Sequence, residues 1–351
     1  MTDQRFTGGR LYDKGAYGCV FMPPLTCKPG TEFGFIDEKG IMIDKLIKLD
    51  NAVEELAIAN RIRTIPLWKN YFLVATSICE PAPREQQTDR DLNKCDILKG
   101  DNINQYRLLR IEFGGKPLSQ SNINLRGNGM YNFILHLIEG AAMLQLFGIV
   151  HRDLHQGNIV VDNSNVPRII DFNLSINVRQ PIGPEIQFNT INTTLFQEPP
   201  DSCIINGIRL GMDGFEMIEL FLKDRSSLRK IQALFGITSA DIRNDIEDFY
   251  RRSKSAQTGD YVKWFKTYWA TIDSWAIGMN IVYLLTDSML WKSTRSDEYR
   301  GYEKKLLGVV KDMVQINPIK RIDCVQALAR LDADNYIIRK YAKQWLEHRP
   351  A

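Results

Sequence analysis

Hydrophobic and polar residues alternate along several short stretches in the first third of the chain. This period of two predicts a β-strand over residues 41–48, and the run 108–115, which ends in glycines, predicts another. Between these runs, the apolar residues of 51–65 recur every three or four positions, which predicts an amphipathic helix capped by Asp50 or Asn51. Residues 81–106 are polar and rich in proline at their start, and they predict a surface insertion.

Helical periodicity dominates the rest of the chain. The stretches 133–150 and 275–285 are the most apolar, but they carry polar residues or are short, so they predict buried helices and no membrane span. Three further amphipathic stretches follow one another at 215–222, 228–235 and 241–250.

A polar loop follows the predicted helix 133–150 and reads His-Arg-Asp-Leu-His-Gln-Gly-Asn over residues 151–158. Two short β-type runs come next, and the hairpin they predict would bring Asp171 back beside the loop. Phosphoryl transfer needs such a grouping. One carboxylate, Asp153, would orient and deprotonate a hydroxyl, while Asn158 and Asp171 offer the oxygen ligands that Mg²⁺ prefers.

Glycines mark a second candidate site near the start of the chain. Residues 8–22 have apolar stretches on both sides of a turn that contains Gly15 and Gly18, which predicts a β-hairpin. Without a Cβ, such glycines let backbone N–H groups approach phosphate oxygens. An ordinary hairpin turn has the same pattern, so this signal has weight only together with the polar loop.

The polar loop, followed by Asp-Phe-Asn at 171–173, resembles the catalytic signature of the protein kinase superfamily. The resemblance implies an α+β, bilobal fold, with a small β-rich N-lobe over 1–114 and a larger helical C-lobe over 115–351. An inserted helical region would occupy about 202–272. ATP and Mg²⁺ would be the cofactors, and serine or threonine hydroxyls of protein substrates would accept the γ-phosphoryl group.

The same resemblance assigns roles to residues of both lobes. The catalytic set is Asp153 as base, Arg152 beside it, and the ion pair Lys45–Glu55, with Lys48 and Glu54 as the competing lysine and glutamate. The nucleotide would contact Gly15, Gly18 and Lys45 through its phosphates, and Ile111, Glu112 and Phe113 near the hinge through its adenine. Val20, the valine of the glycine-rich pattern, would also border the nucleotide. Asn158 and Asp171 would be the metal ligands.

Three long-range contacts are also implied in the C-lobe. Asp273, in an Asp-x-Trp-x-x-Gly motif, would cap the backbone of the catalytic loop, and Asp201 would pair with Arg321. Arg152 would pair with a phosphorylated residue of the activation segment, where the candidate hydroxyls are Ser175, Thr190, Thr193 and Thr194.

Departures from the kinase pattern leave the acceptor open. Asp13 stands at the first glycine position, His155 replaces a lysine, and Asn173 replaces the glycine after Asp-Phe. A pseudokinase or scaffold and a small-molecule kinase are therefore the alternative functions. The Gly-Cys-Val-Phe-x-Pro-Pro-Leu-x-Cys stretch, the long insertion and Pro-Pro-Asp at 199–201 resemble the divergent kinases of nucleocytoplasmic large DNA viruses.

Composition and charge limit the partners and the cellular location that we expect. The 351 residues are 44% hydrophobic and 25% charged with a net charge of +3, which is ordinary for a globular protein and gives no reason to expect a nucleic-acid or membrane partner. The six cysteines form no Cys-x-x-Cys pair, which predicts reduced thiols and a cytoplasmic location, in a host cytoplasm or virion if the protein is viral. The sequence does not indicate a partner for the insertion.

Overall fold

A computed structural model describes residues 9–15, 18–34, 40–87, 91–98, 102–121, 123, 129–287 and 297–348. The chain divides into two compact units. The first contains the chain up to Gly115 together with Ile170–Asn173, and the second contains Lys116–Ile169 and the chain from Leu174 onward. The chain is thus mixed α and β, with a β-sheet in its N-terminal region and helices in its C-terminal region, compatible with the kinase-like fold class.

The first unit is built on an antiparallel sheet. Its strands are β1 (Leu11–Lys14), β2 (Gly18–Phe21), β3 (Phe33–Gly34), β4 (Met42–Lys48), β5 (Ser77–Cys79) and β6 (Tyr106–Glu112). They lie in the order β1-β2-β4-β6-β5-β3. The predicted hairpin corresponds to β1 and β2, and the predicted strands at 41–48 and 108–115 correspond to the central pair β4 and β6.

The helix that follows β4 begins earlier than its periodicity suggested. Helix α1 runs over Leu49–Ile62, and its N-cap is Lys48, whose side chain makes no capping hydrogen bond. The prediction of Asp50 or Asn51 as the cap was therefore wrong, because the strand runs into the helix without an intervening turn. A one-turn helix, α2 (Trp68–Tyr71), comes next.

The prediction of reduced thiols was also wrong. Disulfides join Cys19 to Cys95 and Cys27 to Cys79, whereas Cys203 and Cys324 form no disulfide. Disulfides occur mainly in proteins of oxidising environments, so the cysteines no longer support a cytoplasmic location. Spacing along the chain could not reveal these pairs, since β-strand pairing brings together cysteines that lie 76 and 52 residues apart.

The predicted surface insertion is partly buried. After Pro81 the chain forms short 3-10 turns, and Leu92, Cys95 and Leu98 pack with Phe21 and Leu46 of the sheet. This stretch closes an apolar cluster of the first unit, which explains why a disulfide anchors it.

The second unit is mainly helical. Its helices are α3 (Gly129–Leu146), α4 (Pro200–Arg209), α5 (Gly214–Asp224), α6 (Leu228–Phe235), α7 (Ser239–Arg252), α8 (Lys254–Thr258), α9 (Tyr261–Tyr268), α10 (Ile272–Asp287), α11 (Asp297–Met313), α12 (Cys324–Leu331), α13 (Tyr336–Tyr341) and α14 (Lys343–His348). Helices α3 and α10 are rich in buried side chains, as their apolar runs predict. Among the described residues, no helix is long and apolar enough to cross a membrane.

Short strands frame the polar loop in this unit. They are β7 (Lys116–Pro117), β8 (Ile149–Val150), β9 (Ile159–Val161), β10 (Pro167–Ile169) and β11 (Ile176–Asn177). The predicted helix 133–150 ends at Leu146 because Gly148, at φ 76°, turns the chain into β8, which pairs with β11. The predicted hairpin is present, with β9 and β10 antiparallel.

The inserted region forms helices α4 to α9. These helices pack against residues that precede and follow the polar loop in sequence. Trp264, Phe265 and Phe249 from this region share an apolar cluster with Val150 of β8 and Ile186. The insertion is therefore part of the core of the second unit rather than an appendage.

Candidate active site

A buried lysine lies at the centre of the candidate site in the first unit. The Lys45 ammonium donates to Glu55 Oε1 and Oε2 at 3.0 and 2.8 Å, and to Asp171 Oδ1 at 2.7 Å. The side chains of Lys45 and Glu55 are 10% and 6% exposed, whereas that of Asp171 is 33% exposed. Strand β4, helix α1 and the Asp171 segment thus bring three predicted residues together.

The competing residues lie elsewhere. Lys48 and Glu54 are both exposed, at the end of β4 and on the outer face of α1. Burial lowers the pKa of Lys45, but the Glu55 and Asp171 carboxylates outweigh it, so its pKa is raised and the ammonium stays charged at neutral pH.

The two predicted turn glycines differ in their surroundings. A Cβ at Gly18 would lie 2.3 Å from Ile47 Cγ2 and 2.8 Å from the Leu46 carbonyl oxygen, so packing against β4 requires this glycine. Gly15 has open space around it, and its N–H donates to the Gly18 carbonyl oxygen at 2.9 Å. Val20 is half-buried in β2 opposite Lys45, and residues 16–17 lie outside the described residues.

The residues predicted to contact adenine lie at the end of β6. Ile111 and Glu112 pair with Ile43 and Met42 of β4. The N–H of Phe113 donates to the Ile41 carbonyl oxygen at 2.8 Å, so this donor is already used within the sheet. The Phe113 ring packs edge-on against Tyr12, with ring centroids 5.5 Å apart.

In the second unit, helix α10 anchors the polar loop. Asp273 Oδ2 and Oδ1 accept hydrogen bonds from the backbone N–H groups of His151 and Arg152, at 2.7 and 3.0 Å. The predicted capping contact is therefore confirmed. Burial raises the pKa of Asp273, while the electrostatic effect of the nearby His151 and Arg152 side chains and the two N–H donors oppose that rise.

The proposed base is held on both of its carboxylate oxygens. Asp153 Oδ1 accepts from Gln197 Nε2 at 3.0 Å, and Oδ2 accepts from Asn158 Nδ2 at 3.2 Å. The same Asn158 amide donates to the Asp153 carbonyl oxygen at 2.9 Å. Since the Asn158 Nδ2 is committed to Asp153, its Oδ1 is the atom left to act as a metal ligand.

His155 and Gly157 form an interdependent pair. The His155 Nδ1 accepts from the Gly157 N–H at 2.9 Å, which places the ring proton of a neutral imidazole on Nε2. That nitrogen lies 3.7 Å from Asp153 Oδ2. A Cβ at position 157 would lie 2.6 Å from the His155 ring, so the imidazole can fold back only over a glycine.

Two residues of the motifs have strained backbones. Arg152 and Asp171 have φ angles of 69° and 63°, in the left-handed region that non-glycine residues rarely adopt. Such strain is maintained where the surrounding structure requires a side chain to point in one direction. Asn173 is not among the described positive-φ residues, so the loop does not need the glycine that it lacks.

The predicted Asp201–Arg321 pair is also confirmed. Arg321 donates to Asp201 Oδ1 at 2.7 Å, and these side chains are 0% and 1% exposed. Trp264 of the inserted region donates to the other carboxylate oxygen at 2.9 Å. The Trp275 ring lies 5.1 Å from the Arg321 guanidinium carbon, so the ion pair is enclosed by two tryptophans.

Sequence reasoning missed three polar residues that hold the polar loop or residues 193–198 beside it. Gln197 and Arg225 gave no signal, since each lies in a polar stretch. Asn280 could have been noticed, because it is a polar residue seven positions after Asp273 on an apolar helix. Its Nδ2 donates to the Leu154 carbonyl oxygen at 2.8 Å.

A protein-only metal site is not present in the described part of the chain, where no cluster of three or more His, Cys, Asp or Glu side chains could hold an ion. Magnesium in phosphoryl-transfer sites is bound through one or two protein oxygens together with substrate phosphates. The Asp171 carboxylate and the Asn158 amide oxygen are of this chemical kind.

The fold class and these contacts point towards the protein kinases, and one curated relative supports that distant relation. The tyrosine-protein kinase JAK1 of Danio rerio is 24% identical over 155 residues, which cover 38% of this chain and 13% of the relative. The chain thus spans only a small part of that protein. No protein-family model matches the chain.

Proposed function

We propose that this protein is an ATP-dependent protein kinase that transfers the γ-phosphoryl group to serine or threonine hydroxyls. The observation that carries the proposal is the buried contact of Lys45 with both Glu55 and Asp171. A buried ammonium held by two carboxylates is suited to nucleotide phosphates, because it stays charged and has a fixed position. The distant likeness to a kinase adds support for phosphotransferase activity.

The proposed roles follow from the contacts of each side chain. Asp153 would accept the proton of the acceptor hydroxyl, and Asn158 and Gln197 would hold its carboxylate in one orientation. Lys45 would bind the α- and β-phosphates, and Glu55 would keep the ammonium in place. Asp171 and Asn158 would hold Mg²⁺, which neutralises phosphate charge during transfer.

The remaining nucleotide assignments stay within the proposal. Gly15 and Gly18 would cover the phosphates, Val20 would border the nucleotide, and Ile111, Glu112 and Phe113 would border the adenine. The N–H of Phe113 would not contribute to adenine recognition without breaking its bond to Ile41.

The central test is phosphate transfer by the Asp153→Asn variant. Purified wild-type protein with Mg²⁺ and ³²P-labelled ATP should label dephosphorylated casein on serine or threonine. Asp153→Asn should lower this rate by about 1,000-fold, because an amide cannot take the hydroxyl proton. The exposed Asp334→Asn variant is the matched control and should retain wild-type activity.

Equal rates for Asp153→Asn and wild type would refute the assignment of the base. An increase in the melting temperature with Mg-ATP, without labelling of any protein, would favour the pseudokinase alternative. Labelling of a metabolite instead of casein would favour a small-molecule kinase, and phosphotyrosine in the product would correct the acceptor class.

A further inference from the structure

Residues 186–198 of the second unit, which belong to the predicted activation segment, are tied to helix α4. Asn206 donates to the Thr190 carbonyl oxygen at 2.9 Å, and Arg209 donates to that of Phe188. Side-chain donors thus satisfy backbone oxygens that lack partners in a helix or strand.

Arg225, directly after helix α5, makes the densest set of these contacts. Its side chain is 2% exposed and donates to the carbonyl oxygens of Thr193 at 2.5 Å, of Glu198 at 2.9 Å, and of Leu195. The Phe221 ring centroid lies 4.7 Å from its guanidinium carbon. A single planar guanidinium therefore fixes three positions of the segment, which a flexible lysine ammonium would not do equally well.

The residue held between two of these positions is Gln197. Because Arg225 binds the carbonyl oxygens of Leu195 and Glu198, the Gln197 side chain is presented towards Asp153, where its amide donates at 3.0 Å. The inserted region is thereby connected to the proposed base through two hydrogen-bond steps.

Phosphorylation of Thr193, one of the residues that Arg225 holds, would not strengthen these contacts. Thr193 is 8% exposed, and its hydroxyl donates to Asp224 Oδ2 at 2.8 Å. A phosphate on Thr193 would face that carboxylate, and like charges at this distance repel.

The arginine expected to bind such a phosphate is also engaged already. Arg152 donates to the Ile186 carbonyl oxygen at 2.6 Å, and its guanidinium carbon lies 4.3 Å from the Phe188 ring centroid. These contacts use hydrogen-bonding and cation–π interactions in place of a phosphate.

We propose that the end of helix α5 is a built-in clamp, in which Arg225 holds residues 193–198 and so positions Gln197 against Asp153 without phosphorylation of the segment. The catalytic role of the clamp rests on the proposed kinase function. The contacts of Arg225 do not depend on that function, and they can be tested without measuring turnover. Arg225 acts as a positioning residue, since it touches neither the proposed base nor a substrate.

Hydrogen exchange tests the clamp independently of activity. In full-length Arg225→Met, the amides of 186–198 should exchange at least about 10-fold faster than in wild type, because the segment loses three hydrogen bonds from a charged group. The amides of α3 and α10 should be unchanged. The exposed Arg229→Met variant, on the neighbouring helix α6, is the matched control and should match wild type throughout.

Thr193→Val is the milder second variant in case Arg225→Met does not fold. It removes only the hydroxyl that donates to Asp224, and exchange of 193–198 should rise by about threefold. Unchanged exchange in this variant and in a folded Arg225→Met would overturn the clamp.

Activity tests the regulatory consequence. Wild-type protein treated with a phosphatase and shown by mass spectrometry to carry no phosphate should phosphorylate casein within about twofold of the untreated rate. Arg225→Met should lose about 10-fold in kcat/KM for casein while its KM for ATP changes by less than about twofold. Arg225→Lys should recover part of the loss, since it restores charge but not the planar fork.

Loss of activity after phosphatase treatment, with recovery on rephosphorylation, would overturn the proposal. If the wild-type protein transfers no phosphate, the proposed kinase function is wrong. The hydrogen-exchange data still test the clamp in that case. The two failures are therefore distinguishable.

Discussion

Lys45 shows how neighbours decide the chemistry of a single residue. Its ammonium is buried between Glu55 and Asp171, whereas Lys48, three residues later on the same strand, is exposed. Desolvation and two adjacent carboxylates act on the pKa of Lys45 in opposite directions, and the carboxylates prevail.

Replacing Lys45 should therefore affect both stability and activity. Lys45→Met leaves Glu55 buried without its cation, and we expect a loss of about 3 kcal/mol in the free energy of unfolding. Phosphate transfer should become undetectable, because the ammonium proposed to bind the phosphates is missing. Chemical denaturation and the casein assay measure the two effects, and Lys304→Met, at an exposed lysine of helix α11, is the matched control that should change neither.

The stability contributed by this ion pair also has a pH dependence. Since the pKa of Lys45 is raised in the folded state, the contribution is fully present below about pH 10.4, the ordinary lysine value, and is lost as pH rises further. The difference in unfolding free energy between wild type and Lys45→Met should thus not decrease from pH 7 to 10. A difference that shrinks within this range would contradict the assignment.

At the scale of elements, the stretch 81–106 has a structural role that its polar start conceals. It supplies Leu92, Cys95 and Leu98 to the apolar cluster over the sheet. The disulfides Cys19–Cys95 and Cys27–Cys79 close segments of 76 and 52 residues, and each such closure stabilises a folded domain by about 4 kcal/mol in the chain-entropy description.

Thiol counting tests this arrangement. In the native, unreduced protein we expect no cysteine to react with iodoacetamide at neutral pH, because Cys203 and Cys324 are buried and burial raises the pKa of Cys203 to about 12. After denaturation without reductant, two cysteines should react, and after reduction all six. Six reactive thiols in the denatured, unreduced protein would show that the original expectation of free thiols was correct.

At the scale of the whole molecule, the inserted region forms part of the core of the second unit. Asp201, at the start of the insertion, pairs with Arg321 across 120 residues of sequence, and Trp264 from the same region satisfies its second carboxylate oxygen. The predicted long insertion thus contributes to the stability of the unit that carries the polar loop.

Disruption of this pair should destabilise the protein more than loss of a surface pair. Arg321→Met leaves the buried Asp201 carboxylate without its cation, and we expect a loss of about 3 kcal/mol, or roughly 4 °C in Tm for a chain of 351 residues. Arg330→Met is the control, since its pair with Asp312 is 47% and 38% exposed and should contribute less than about 1 kcal/mol. Equal thermal shifts for the two variants would show that burial does not set the strength of the pair.

Much of the architecture followed from local patterns. Period-two alternation located β4, and helical periodicity located α1, α5, α6 and α7, because burial of one face imposes these spacings. The run 108–115, with its terminal glycines, located β6. Two predicted boundaries were wrong. Helix α1 started earlier than expected because β4 leads directly into it, and α3 ended earlier because Gly148 redirects the chain.

The sequence by itself determined the polar loop, its hairpin and the residue types that can support phosphoryl transfer, since these are contiguous in the chain and obey local rules. Only the tertiary structure showed that Lys45 rather than Lys48 is buried against Glu55, paired the four cysteines, and brought Arg225 to residues 193–198. Each of these depends on which side chains are buried together, and burial is set by packing between segments that lie far apart in sequence.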